Sequence, residues 1–246
     1  MKNNKKVLCI ILARGGSKGI PRKNIRLINR IPLIAYSIVE AKRSKLIDKI
    51  VISSDDDEII SIAKQYGADA PFKRPRELAS DDANVHDAFK HAVDWVEKET
   101  GIVYDFFVEL LCTNPMKTSQ DIDIALEKLI RTGADSVIGV TKLEDHHPIR
   151  IKKIVDGKIK DFCIKEIPGT NRQELKPEAF IRNGSIYACK RDCIEKRVGS
   201  DNSLPYVMPP EKSVNIDTPL DLILAEKLLE RNPREYIKTV NSLESE

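Results

Sequence analysis

The spacing of apolar residues changes period several times along the chain, and each change marks an element. Val7–Leu12 (VLCIIL) is unbroken apolar sequence, which predicts a strand buried on both faces of a sheet. Leu33–Arg43 (LIAYSIVEAKR) carries its apolar residues at helical intervals, with Pro32 suited to the first turn. Lys49–Ser53 predicts a second strand, and Ser54 or Asp55 is expected to cap a helix over Glu58–Tyr66. Gly67–Lys73 reads as a short third strand. Val85–Glu97 reads as a helix that buries Val85, Phe89, Ala92 and Val96. Asp105–Cys112 (DFFVELLC) predicts another buried strand, closed by the turn residues Thr113-Asn114-Pro115. A helix over Ser119–Arg131 and a strand over Ser136–Val140 follow. Strand, loop and helix alternate throughout this region, which implies an α/β, three-layer fold around a mostly parallel sheet.

The rhythm breaks after Thr141. Ile149–Val155 and Lys158–Ile164 flank Asp156-Gly157, a strong hairpin signal. Ile149, Ile151 and Ile154 on one run, with Ile159 and Phe162 on the other, predict a buried apolar face. The stretch from about 141 to 182 is therefore expected to be an antiparallel dimerisation insert in a single domain spanning 1–246. Gly169–Pro177 is polar and reads as a loop, Gly184–Cys189 (GSIYAC) returns to strand, and a helix closes the pattern from Pro219 to about Arg231. Thr218 caps that helix and Asp221 stands three residues on.

Charge alters this picture only locally. Over 246 residues, 41 basic side chains face 38 acidic ones, a net of +3, so no global field calls for nucleic acid or a membrane surface. The five cysteines (Cys9, Cys112, Cys163, Cys189, Cys193) form no C-x-x-C, and an odd count completes no disulfide framework. His86 and His91 fall on different faces of their helix, and no H-E-x-x-H is present. No apolar run approaches the about 18 residues of a membrane span, and Val7–Leu12 is too short for a signal-peptide core. A soluble, cytoplasmic protein is the expectation. Lys2, Lys5 and Lys6 read as a solvated basic face, whereas the cations beyond Leu12 sit among glycines.

That second group carries the chemistry. Ala13–Asn24 reads ARGGSKGIPRKN, with Gly15, Gly16, Gly19 and Ser17 interleaved with Arg14, Lys18, Arg22 and Lys23. Glycines let backbone N–H groups approach an oxyanion and the cations neutralise it, at the end of a buried strand where α/β sheets bind phosphate. The spacing matches neither G-x-G-x-x-G nor G-x-x-x-x-G-K-[ST]. Arg74 also follows a strand end and could reach the same ligand. The carboxylate run Asp55-Asp56-Asp57 suits a helix N-terminus better than a metal.

The loop resembles the A-R-G-G-S-K-G-[ILV]-P-x-K-N signature of the N-acylneuraminate (CMP-sialic acid) cytidylyltransferase family. IVISSDDDEI, RPRELASDDA, HHP at His146–Pro148, FIRNGSIY at Phe180–Tyr187 and VNIDTPLDL at Val214–Leu222 find counterparts in the same order. The resemblance implies a Rossmann-like fold and transfer of CMP from CTP to the anomeric hydroxyl of a nine-carbon 2-keto sugar acid, with release of pyrophosphate. It implies nucleotide contacts from Ala13, Arg14, Gly15, Gly16, Ser17, Lys18, Lys23, Asn24 and Arg74. Catalytic roles fall to Lys23, Arg14 and Asp217, with charge neutralisation by Lys23 foremost.

Mg²⁺ or another divalent cation is implied at Asp217 and Asn215, where the family's D-[IV]-D pair has become Asn215-Ile216-Asp217, one formal charge poorer. No general base stands out in the sequence: a metal-bound hydroxide, or a side chain such as Asp217, could take the proton of the acceptor hydroxyl. On the sugar side the resemblance points to Cys112, Thr113, Arg172 and Asn183, although the family's Q-x-T-S-P is here Cys112-Thr113-Asn114-Pro115 after leucine, and its R-P-N-G is Ile181-Arg182-Asn183-Gly184. A homodimer is implied, in which each subunit helps close its partner's sugar site. The competing readings are an enzyme for an eight-carbon 2-keto acid and a nucleotide-binding paralogue without turnover.

Overall fold

In the computed structural model, which describes residues 4–144, 146–169 and 171–239, the strands are β1 (Val7–Leu12), the two-residue β2 (Leu27–Ile28) and β3 (Ile31–Pro32), β4 (Lys49–Ser53), β5 (Phe106–Leu110), β6 (Ser136–Lys142), β7 (Lys152–Val155), β8 (Lys158–Asp161), β9 (Phe180–Lys190) and β10 (Ser203–Val207). The helices are α1 (Leu33–Arg43), α2 (Asp57–Gln65), α3 (Val85–Thr100), α4 (Ser119–Thr132) and α5 (Pro219–Arg231). The central sheet has the order β10-β6-β9-β5-β1-β4. Every neighbouring pair runs parallel except those of β9, which lies antiparallel between β5 and β6. Lys2 lies outside the described residues.

Strand alternation divides the core into two layers. On β1, Val7, Cys9 and Ile11 pack with residues of α1, α2, α4 and α5, while Leu8 and Ile10 pack with Phe89, Ala92, Val93 and Val96 of α3. Both faces of β1 are covered, which is why its sequence is apolar without interruption. The sheet is mostly parallel and three-layered, as the alternation implied.

The C-terminal ends of the parallel neighbours β4, β1 and β5 release their loops at one edge. Ala13 N–H continues the ladder to Ser53 C=O at 3.0 Å before the glycine loop departs. Beside it, the end of β5 is fixed by two buried polar residues. Asn114 Oδ1 accepts from Met116 N–H at 3.0 Å, and its amide donates to the Asn183 and Lys212 carbonyls. The Lys117 ammonium, fully buried, donates to the Leu111 and Asn114 carbonyls, and burial pushes its pKa down to about 8.

Several expectations are corrected. Gly67–Lys73 is not a strand; a single bridge joins Val51 and Asp69, and Pro71, which has no N–H, cannot continue the ladder. The cap of α2 is Asp56, whose Oδ1 accepts from Glu58 and Ile59 N–H at 3.0 Å, not Ser54 or Asp55. The two insert strands are shorter than expected: Pro148–Arg150 forms a 3₁₀ turn that delays the start of β7, and β8 ends at Asp161. Ile149 is buried in the body of the chain, whereas Ile154, Ile159 and Phe162 are 78%, 75% and 60% exposed. The strand read at Gly184–Cys189 extends over Phe180–Lys190. β10 was not anticipated; it is an edge strand, where Pro205 is tolerated.

Candidate active site

The glycine loop folds back over the strand ends and is held from three sides. Asp55 Oδ1 accepts from Gly15 N–H at 2.9 Å, so the carboxylate expected to cap α2 instead fixes the loop. A Cβ on Gly15 would lie 2.8 Å from Asp56 Oδ2. Asn24 is buried and donates from Nδ2 to the Arg14 carbonyl at 3.0 Å, closing the loop on itself. Arg22, in the left-handed region at φ 56°, pairs with Asp56 at 2.5 and 3.0 Å and with Glu58 at 2.5 Å. The Arg22 guanidinium holds the Asp56 carboxyl below its usual range, and the hydrogen bonds from Ile59 and Glu58 N–H assist it.

The third support comes from far along the chain. Lys23 Nζ donates to the Ile216 carbonyl and to Asp217 Oδ1, both at 2.9 Å. A Cβ on Gly19 would stand 2.6 Å from the Asp217 carbonyl oxygen, a close approach that only glycine permits without movement. Ile216 N–H in turn donates to Thr113 C=O at 2.8 Å, joining this segment to the end of β5.

The glycine loop and the end of β5 line a cavity of about 320 Å³, and Asn215 and Asp217 stand outside its lining, joined to it through Lys23. Gly16, Ser17, Lys18, Lys23 and Asn24 line it from the loop, with Arg14. Asp81, from the RPRELASDDA segment, pairs with Arg14 at 3.0 Å and with Lys18 at 2.9 Å, and the Lys18 ammonium first, then Arg14, holds its carboxyl below the ordinary range. The loop cations thus already face a carboxylate, the geometry an oxyanion would displace. Arg74 lines the same cavity although only 5% exposed. Its Nε donates to Ser53 Oγ at 2.9 Å and Nη2 to Ser53 C=O at 2.5 Å; burial lowers its pKa to about 10, which leaves it charged at neutral pH.

The predicted residues divide. Arg14, Gly16, Ser17, Lys18, Lys23, Asn24, Arg74, Cys112 and Thr113 share the cavity, and Leu111 joins them. Ala13 and Gly15 sit behind the lining, in the ladder and on Asp55. Burial pushes the Cys112 thiol up to about 12, so it lines the wall as a neutral group. Asn183 is not in this wall: its Nδ2 contacts Met208 Sδ at 3.1 Å and Ser213 Oγ at 3.0 Å. Arg172 pairs with Glu144 and lines a second cavity of about 590 Å³ in the insert, with His147 and Lys176. Within one chain, Arg172 is therefore not brought to the glycine loop. His147 is buried, its Nδ1 accepting from Ile149 N–H.

Sequence reading missed Glu109, a buried carboxylate in the floor of the first cavity. Its signal was present, since a lone glutamate inside the apolar run DFFVELLC must be paired or functional.

Asn215 and Asp217 are the pair that could hold a metal. Asn215 Nδ2 donates to Asp217 Oδ2 at 2.5 Å, and Asn215 Oδ1 is buried without a hydrogen-bond partner. No group of three or more His, Cys, Asp or Glu among the described residues could hold a cation by itself. One carboxylate and one orphaned amide oxygen nonetheless fit a small hard cation that takes its remaining ligands from phosphate and water.

Residues 8–206 match the model of a family described as cytidylyltransferase. A pseudaminic acid cytidylyltransferase of Campylobacter jejuni is 36% identical over 234 residues, covering 94% of this chain and 98% of that protein. A CMP-N,N'-diacetyllegionaminic acid synthase of Campylobacter jejuni is 35% identical over 225 residues, covering 91% and 94%. Among solved structures, a CMP:2-keto-3-deoxy-manno-octonic acid synthetase complexed with CTP superposes with a TM-score of 0.67 at 17% identity, covering 93% of this chain and all of that one, a likeness of fold.

The Arg22–Asp56 pair gives a pH test of the loop's anchorage. A carboxyl whose folded pKa is depressed contributes stability above its unfolded value and loses it as pH falls through the folded one. The stability difference between wild type and Arg22→Ala should therefore be constant above about pH 5 and shrink as the pH falls below the ordinary aspartate value of 3.8. Urea unfolding at a series of pH values measures it, and a gap that widens in acid would contradict the assignment.

Proposed function

The chain belongs to the cytidylyltransferase family, and from that premise we propose that it transfers CMP from CTP to the anomeric hydroxyl of a nine-carbon 2-keto sugar acid, releasing pyrophosphate. The acceptor belongs to the legionaminic, pseudaminic or sialic class. The observation that carries this reading is the junction of the glycine loop with the Asn215–Asp217 segment, where a cation and hard oxygen donors meet beside one cavity. Attack at the α-phosphate builds charge on the departing pyrophosphate, and catalysis consists mainly in meeting that charge with fixed groups.

In this mechanism Gly16 and Ser17 receive phosphate oxygens, and Arg14 and Lys18 exchange Asp81 for them. Lys23 reaches the leaving pyrophosphate and draws the loop onto Asp217, which acts with it at the reacting centre. Asn24 keeps the loop closed, and Arg74 binds the nucleoside, with Ala13 and Gly15 setting the backbone behind it. Asp217 and Asn215 would hold Mg²⁺, which supplies neutralisation of phosphate charge. In this structure it is Nδ2 that meets Asp217, so Asn215 would have to turn its amide about the Cβ–Cγ bond to offer Oδ1 beside that carboxylate, two oxygens that only a bound cation would bring together. Cys112 and Thr113 shape the acceptor side of the cavity. Asn183 supports it from behind through its carbonyl, which accepts from Asn114.

The insert is the dimerisation arm of this single domain. Its exposed Ile154, Ile159 and Phe162 are the apolar surface a second copy would cover, and Arg172 would serve the acceptor carboxylate from the insert side. Use of CTP and five free cysteines suit the cytoplasm. No helix among the described residues is long and apolar enough to cross a membrane.

Pyrophosphate release from CTP and Mg²⁺ should occur with one of a panel of nonulosonic acids. Release only with an eight-carbon acid, or CTP binding with no release at all, would overturn the reading in favour of its two competitors. Asn215→Asp, which restores a formal charge, should lower the Mg²⁺ concentration needed for half-maximal rate by about tenfold, equal to 1.4 kcal/mol; an unchanged requirement would remove Asn215 from the metal site. Gel filtration should give a dimer at micromolar concentration, and Ile154→Asp with Ile159→Asp should give a monomer. A wild-type monomer would contradict the arm.

A further inference from the structure

The floor of the cavity holds a charged group that the roles above leave unused. Glu109 lies near the C-terminal end of β5, opposite Ile10 of β1, and is 4% exposed. It shares the lining with Arg74, Val85 and Ala88. Arg197, itself buried, donates from Nε to Glu109 Oε2 at 3.0 Å. The rest of that guanidinium is occupied elsewhere: Nη1 is 2.9 Å from His86 Nδ1, and the group stands 4.7 Å over the Phe89 ring. His86 Nε2 lies 2.6 Å from Glu195 on the outer side. The Glu109–Arg197 contact is thus a single hydrogen bond, not the two-pronged fork that satisfies a carboxylate on both oxygens. Among the described residues no other hydrogen bond reaches the Glu109 carboxylate. Glu109 lines the cavity, so its other oxygen, Oε1, is the one left to accept a hydrogen bond from an occupant.

Asp81 is exposed and its cations can exchange it for phosphate. Glu109 is buried against Arg197 and would repel phosphate, so the triphosphate belongs with Arg14, Lys18 and Lys23, and the floor takes the other end of the nucleotide. Arg74 stands there beside Glu109. Its Nε and Nη2 are committed to Ser53, which leaves Nη1 as its remaining donor nitrogen. An acceptor next to a donor complements one pyrimidine edge. Cytosine offers an amino donor at C4 and acceptors at N3 and O2, whereas uracil presents a carbonyl at C4.

We propose that Glu109 is the base-reading residue, with Oε1 accepting a hydrogen bond from the exocyclic amino group of cytosine while Arg74 donates to the ring's acceptor side. Arg197 holds Glu109 in place from behind, as a positioning residue. Uracil is rejected because its O4 would meet a carboxylate in a buried site, two acceptors with no proton between them. This inference rests on the function proposed above.

The test is calorimetric binding of CTP, UTP and the triphosphate of a 2-pyrimidinone riboside, which lacks the amino group, together with thermal melting of each protein. Wild type should bind CTP at least about tenfold more tightly than either competitor, the size of one hydrogen bond to a charged group. Glu109→Gln should weaken CTP binding and shrink the CTP/UTP ratio by about tenfold. Because that variant strands a buried Arg197, the double variant Glu109→Leu with Arg197→Met removes both charges and should show the same loss of ratio in a cooperatively melting protein. An unchanged CTP/UTP ratio in a folded variant would overturn the proposal and leave Glu109 a structural partner of Arg197. Failure of wild type to bind any of the three would instead overturn the function on which the proposal rests.

Discussion

One ammonium group joins the two ends of this chain. Lys23 and Asp217 are 194 residues apart, and their contact places the glycine loop against the last segment before α5. As a stabilising interaction it is modest, since Asp217 is more than half exposed and such pairs contribute about 0–1 kcal/mol. Its importance is spatial. The Ile216 carbonyl accepts from the same ammonium, Ile216 N–H reaches Thr113, and Gly19 lies against the Asp217 backbone. Three chain segments, the glycine loop, the end of β5 and the stretch before α5, therefore meet at one point at the edge of the sheet.

The sheet explains why that point can be so crowded with charge. β1, β4 and β5 run parallel, side by side, and all end at the same edge, where α/β folds bind their ligands. Behind the edge, polar groups are satisfied by dedicated partners: Asn114 by a turn and two carbonyls, Lys117 by two carbonyls, and Glu40 by Ser119 N–H, Arg234 and Tyr236. The buried atoms without partners are different. Some lie on α3 and β6, but three of them, Asn183 Oδ1, Ser185 Oγ and Asn215 Oδ1, belong to β9 or the segment just before α5. β9 enters the sheet antiparallel and presents its beginning where its parallel neighbours end, so these orphaned groups collect on the side where the acceptor is proposed to bind.

Much of this was legible in the residues. β1, α1, β4, α3, β5, α4 and α5 follow from unbroken apolar runs or helical spacing, because each is covered by a core that leaves a periodic trace. The cavity lining from Arg14 to Asn24 followed from glycines set among cations. What the pattern hid was governed by distant partners. Nothing local says that Asp55 abandons α2 to hold Gly15, or that Pro71 stops a strand after one bridge. The place of β9 between β5 and β6 is a matter of topology, since GSIYAC reads the same in either direction. Arg172 illustrates the reverse difficulty: a motif can name a residue, yet one chain alone leaves it beside Glu144 in another cavity.

The central claim is that the loop cations serve the triphosphate tail. Titration calorimetry of CTP against CMP, on wild type and Lys23→Ala at fixed ionic strength, tests it most directly. The account predicts that wild type binds CTP far more tightly than CMP and that Lys23→Ala removes about tenfold of that preference while leaving CMP affinity nearly unchanged. Equal affinity for the two nucleotides, or an equal loss for both in the variant, would contradict it.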